Sequence, residues 1–156
     1  ALTLAQHPSE TEERLMVRLL AFALNADSAL TFGRGLSSEE PDLWRQDLTG
    51  QIEQWIEIGQ PDEPSLRRAC GRAKHVLVYS YSGNSAQAWW DKTGEALQRC
   101  DNLSVIDMDS ASSKALAALA QRGMQLQCFI QDGEVAMMSG EKTVAIALTS
   151  RMAARR

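Results

Sequence analysis

Several things are scarce in this 156-residue sequence, and each scarcity removes a class of function. No apolar run approaches the roughly 20 residues that a transmembrane helix needs, so no membrane partner is expected. The first residues, Ala1 to His7, lack the basic start and apolar core of a secretory signal. Cysteine is rare: Cys70, Cys100 and Cys128 are odd in number and widely spaced among apolar neighbours. That pattern predicts core thiols in a reducing, cytoplasmic compartment rather than a disulfide framework or a zinc site. With His7 and His75 alone, a multi-histidine metal site is excluded, and any histidine-based triad must use one of the two. His75 stands at a strand entrance and reads as a capping or surface residue. Dinucleotide-binding, P-loop, Gly-x-Ser-x-Gly and His-Glu-x-x-His motifs are all missing.

The net charge of −4 argues against a broad basic face for duplex DNA, since phosphate neutralisation dominates that affinity. Basic residues do gather locally, at Arg67, Arg68, Arg72 and Lys74 and again at Arg151, Arg155 and Arg156. The first group suits a solvated helix face or a ligand contact. The size suits one domain with a real core, and 44% hydrophobic with 23% charged residues is an ordinary globular balance.

Periodicity supplies the architecture. Ser9 as cap with Glu12 three residues on predicts a helix whose apolar stripe runs through Leu15, Met16, Leu19, Leu20, Ala23 and Leu24. It should stop near Asn25 to Ser28. A short extended piece, Thr31 to Leu36, precedes a strand over Pro41 to Asp47, and Leu48-Thr49-Gly50 supplies a turn. Gln51 to Gly59 then alternates, with Ile52, Ile56 and Ile58 on one side and Glu53, Trp55 and Glu57 on the other. Asp62 caps the next helix, with Pro64 in its first turn. His75 to Tyr81 holds an apolar run suited to a central strand covered on both faces. Ser82-Gly83-Asn84 leads into a helix bearing Trp89 and Trp90. Leu103 to Met108 is a strand, and Ser112 or Ser113 opens a small helix. Two or three antiparallel strands close the chain, turning at Asp132-Gly133 and at Ser139-Gly140, the last running from Thr143 to Leu148. The expected class is α/β, a mixed sheet with flanking helices over residues 1–156.

Carboxylates are the chemistry that remains. Glu53 and Glu57 share a strand face, and a hairpin turning at Leu48-Thr49 brings Pro41-Asp42 alongside Trp55 to Glu57. Asp47 would lie close to the turn and reach Glu57 only across an irregular connection. Such hard oxygen donors favour Mg2+, Mn2+ or Ca2+ over zinc, and an ion of that kind activates water beside a phosphate. The same alternation also suits a solvated acidic sheet face, although a tryptophan between the glutamates argues for a cleft or a covering element. Glu10, Glu12 and Glu13 complement a helix dipole, and Glu13 is the one best placed to reach a common ion.

His7-Pro8-Ser9-Glu10-Thr11 with Glu13-Arg14 resembles the start of the YaeQ family. Arg34-Gly35-Leu36-Ser37, Trp44-x-x-Asp47-x-x-Gly50, Trp55-Ile56-Glu57-x-Gly59-x-Pro61-Asp62, Trp89-Trp90 and Ile130-Gln131-Asp132-Gly133 extend the likeness along nearly the whole chain. The resemblance implies a variant of the PD-(D/E)XK, restriction-endonuclease-like core and a Mg2+- or Mn2+-dependent nuclease or phosphodiesterase. The alternative it leaves is an inactive nuclease-like fold that binds a nucleic acid or a protein partner. Carried over, Glu57 matches the strand glutamate, Glu13 the helix acid, and Asp47 or Asp42 the other strand acid; Glu53 joins them as a further metal candidate. The motif lysine position is Gly59, and Gln60 is the neighbour left to orient water, without positive charge. Family members carry additional strands before the first helix, so the N-terminal part of the sheet is expected to be absent or disordered here.

Overall fold

Leu77 and Tyr79 face one way and Val76 and Val78 the other, and all four are buried, so the strand that carries them needs cover on both sides. The computed structural model, which describes residues 6, 10–33, 40–121 and 123–156, supplies that cover. In chain order the elements are α1 (Glu12–Leu24), β1 (Leu30–Phe32), β2 (Leu43–Gln46), β3 (Ile52–Ile58), α2 (Glu63–Arg72), β4 (Ala73–Ser80), α3 (Asn84–Leu97), β5 (Leu103–Met108), α4 (Ser110–Ala117), β6 (Leu126–Gln131), β7 (Glu134–Ser139), β8 (Lys142–Ile146) and β9 (Leu148–Met152).

The main sheet runs β1-β2-β3-β4-β5-β9 and is mixed. β3, β4 and β5 are parallel neighbours joined through α2 and α3, while β1, β2 and β9 pair antiparallel at the flanks. On one face Trp55, Val76, Val78, Leu103 and Val105 pack with Leu66 and Ala69 of α2 and Leu97 of α3. On the other, Ile56, Ile58, Leu77, Tyr79 and Met108 pack with α1, with Leu116 of α4, and with Met137 and Ile146 from a separate sheet, β6-β7-β8. The mixed α/β architecture with flanking helices is therefore the one expected. Among the described residues no helix is long and apolar enough to cross a membrane.

The details depart from expectation in a few places. The cap of α1 is Thr11, whose side chain accepts from the Arg14 N–H, so the helix begins at Glu12; Ser9, like His7 and Arg34 to Ser37, lies outside the described residues. Asp109 caps α4, which places Ser112 and Ser113 inside that helix. Thr143 to Leu148 is not one strand. β8 ends at Ile146 in the small sheet, and one residue later β9 enters the large one. Ala147 makes the transfer, its N–H held by Ser112 Oγ at 2.9 Å and its carbonyl accepting from the Asp109 N–H at 3.3 Å. The Cys70, Cys100 and Cys128 thiols are free, and they sit at the margins of the two cores rather than within them.

Candidate functional site

The β2–β3 hairpin sets Leu43 opposite Ile56, which brings Asp42 beside Glu57 at the end of β3. The Asp42 N–H donates to the Ile56 carbonyl at 3.1 Å, and its Oδ2 accepts from the Ile58 N–H at 2.8 Å. Asp42 Oδ1 accepts from Arg14 of α1 at 2.5 Å, and Arg14 also donates to Glu10 Oε2 at 2.7 Å. Glu10 Oε1 takes a third charged bond, from Arg18 at 2.6 Å. The side chains of Glu10 and Asp42 are fully buried, and that of Arg14 is 14% exposed. Burial alone would make the Arg14 guanidinium easier to deprotonate, but Asp42 and Glu10 hold its pKa above the ordinary value. Arg18 extends the cluster inward over the Phe32 ring, its buried Nε without a hydrogen-bond partner.

Glu57 is the cluster's proton carrier. Its Oε1 accepts from the Trp55 indole N–H at 2.8 Å, two residues back on the same strand face. Burial first, and the neighbouring Asp42 charge second, push its pKa up to about 8, against the opposing pull of the indole N–H and Arg14. At neutral pH Glu57 therefore keeps its proton. Trp55 itself is fully buried under α2, with Arg72 stacked 5.0 Å from its ring. The acidic, aromatic face of β3 is thus covered at Trp55, while Glu53 and Glu57 on either side of it stay partly exposed.

The other acids divide. Glu13 faces the same end of the molecule, its Oε2 accepting from Ser113 Oγ of α4 at 2.9 Å. Near it is Tyr81, which bonds to Thr11, feels the Arg14, Glu13 and Glu10 charges, and has its phenol pKa raised chiefly by burial. Asp47 does not join them. It accepts from the Thr49 hydroxyl at 2.6 Å and from the Thr49 and Gln51 N–H groups, which is turn chemistry and lowers its pKa through the Thr49 bond above all. Opposite Gln51, it stands six positions along β3 from Glu57, roughly 20 Å at strand rise. Glu53 points to the same side as Glu57 from the far end of the strand, where it pairs with Lys74 at 3.5 Å. Gln60 is committed as well, its amide donating to the Tyr81 carbonyl. Gly59, the motif-lysine position, has φ +107 and open space around it, so a side chain there meets backbone strain rather than a steric barrier.

Two surface hollows among the described residues lie elsewhere, one by the end of α4 and one lined by Cys70, Arg72, Lys74, His75 and Arg156. Sequence reading missed the two arginines that organise the acids. The available signal was the spacing of Glu10, Arg14 and Arg18 at intervals of four, a charged stripe entering an apolar helix.

An α/β chain with an arginine-bridged carboxyl cluster at the end of its parallel strands is the class that fold and site define. The particular family follows from comparison. The family model for the YaeQ protein matches residues 1–148, and the chain belongs to the YaeQ family. It is 44% identical over 152 residues to the uncharacterized protein YaeQ of Salmonella typhi, covering 96% of this chain and 83% of that one. The Escherichia coli K12 protein of the same description is 41% identical with the same coverage. Among solved structures, the YaeQ protein of Xanthomonas axonopodis pv. citri superposes with a TM-score of 0.93 at 54% identity, over 97% of this chain and 86% of that one. The Pseudomonas syringae YaeQ structure gives 0.89 at 31% identity, over 99% and 86%.

Proposed function

We propose that the chain hydrolyses a phosphodiester at the Asp42–Glu57 end of β3, as a PD-(D/E)XK-like nuclease or phosphodiesterase whose motif lysine is replaced. The observation that carries this reading is the convergence of acids from α1, β3 and the approach to β2 on one end of the sheet, with a carboxyl group of pKa about 8 among them. Such a group is tuned for proton transfer near neutral pH.

A resident Mg2+ or Mn2+ does not fit the donor set in this arrangement. Both oxygens of Asp42 and both of Glu10 are taken by Arg14, Arg18 and the Ile58 N–H, and both side chains are sealed from solvent. Among the described residues no three His, Cys, Asp or Glu side chains are placed to hold an ion. The residues that reach solvent carry the chemistry. Arg14 offers positive charge to a phosphate oxygen. Water attacks phosphorus and releases a proton to solvent, the ester P–O bond breaks, and the leaving oxygen takes the Glu57 proton, which solvent then restores to the carboxylate. The buried indole of Trp55 keeps Glu57 oriented for that transfer.

The test is hydrolysis of bis(p-nitrophenyl) phosphate and of labelled single-stranded and duplex oligonucleotides, with and without manganese, by wild type and by Glu57→Gln. Turnover that falls about a hundredfold in the variant is the expected outcome. Equal rates in the two proteins under every condition sink the reading. They would leave a nuclease-like fold that binds a nucleic acid or protein partner without cutting, which Gly59 at the lysine position favours.

A further inference from the structure

The acids of this site already have a cation, and it is part of the chain. Arg14 bridges Glu10 and Asp42 with two charge-assisted bonds of 2.7 and 2.5 Å, and it is the positive group facing Glu57 from α1. A guanidinium presents its donors in a fixed planar fork, so one side chain ties a carboxylate preceding the helix to one preceding β2. An ion seated between those acids would have to expel Arg14 into solvent, or share a buried space with it at close range against like-charge repulsion. Arg18 holds Oε1 of Glu10, and the Ile58 N–H holds Oδ2 of Asp42. The cluster is thus closed to a divalent ion by its own hydrogen bonds.

We infer that Arg14 takes the electrostatic place of a divalent cation, so that this chain meets a phosphate ester with a built-in guanidinium and shuts magnesium and manganese out of its acids. The substrate-facing half of this inference rests on the proposed phosphodiester function; the exclusion of ions does not. Arg14, 14% exposed while the Glu10 and Asp42 side chains are fully buried, is the charge of this bridge that an incoming anion meets first.

Manganese chloride titrated by calorimetry into wild type, Arg14→Gln and the double variant Arg14→Gln/Asp42→Asn tests the inference, with circular dichroism as the check of folding. Wild type should give no saturable heat. Arg14→Gln, which retains Arg18 against Glu10, should bind manganese at least about tenfold more tightly, and the double variant should lose that gain. Arg14→Lys is the second variant, used if the glutamine protein fails to fold. Its point charge satisfies one acid and frees the other, so it should bind at an intermediate level. Saturable wild-type binding as tight as in the variants overturns the inference, as does a folded Arg14 variant that binds no manganese. Loss of phosphodiester turnover in every protein would instead count against the proposed function and leave the manganese result standing.

Discussion

Between pH 4.5 and about 8, the folded chain keeps a proton on Glu57 that the unfolded chain releases. Since the native state then binds more protons, stability falls as pH rises through that window and levels off above it. The sign is opposite to that of a salt-bridged carboxylate. At about 1.4 kcal/mol for each pH unit, that window bounds the effect at about 5 kcal/mol. Glu57→Gln, which keeps a hydrogen-bond acceptor for Trp55 but cannot ionise, should flatten the decline and be more stable than wild type above pH 8. Thermal unfolding of both proteins from pH 5 to 9 reads this directly. Parallel pH profiles would mean that Glu57 ionises as an ordinary surface acid does. Asp42 is not an equivalent target, because removing its charge would leave Arg14 buried with one partner fewer.

At the level of elements, the β2–β3 hairpin shows what alternation does and does not reveal. Its period of two set Trp55 and Glu57 on one face and Ile56 and Ile58 on the other, and the turn at Leu48-Thr49 brought Asp42 to Glu57, as the structure has it; Ile52, expected beside the other isoleucines, packs instead with the Trp55 core at the start of the strand. Alternation is a property of one strand, however, and the cover over Trp55 comes from α2, which begins eight residues later. Nor does any local pattern show that the chain changes sheets at Ala147, since one residue separates β8 from β9 and the two differ in their partners. The arginine bridges were hidden for a similar reason. Arg14 reads as an exposed helix position until Glu10 and Asp42, 28 residues apart from it in the second case, are placed against it. Asp47 separates the two kinds of acid experimentally. Its bonds to Thr49 and Gln51 make it a turn residue, so Asp47→Ala should lower the melting temperature modestly while leaving the Glu57-dependent pH profile unchanged. A changed pH profile in that variant would place Asp47 in electrical contact with the site across the length of β3.

Over the whole molecule, charge is spent internally to an extent that the sequence conceals. The local basic clusters that suggested an anionic partner are largely tied down. Arg67 pairs with Glu63, Lys74 with Glu53 and Arg156 with Asp101, while Arg155 donates to the Gln98 carbonyl and Arg151 to Gln87. With a net charge of −4 as background, these two clusters leave few cations among the described residues to neutralise successive phosphates. Arg14 is offered as one such contact, and its neighbours are acids, so the phosphate footprint should be small. Counterion release scales with that footprint: one or two neutralised phosphates predict that raising salt fourfold, from about 50 to 200 mM, weakens oligonucleotide binding only about three- to twelvefold. Fluorescence anisotropy with a labelled oligonucleotide over that range measures the slope. A loss of a thousandfold or more would require six or more phosphate contacts, which the paired arginines and lysines do not supply. It would move the nucleic-acid surface away from the acid cluster, toward the opposite end of the sheet where Arg72, Lys74, His75 and Arg156 line a common hollow.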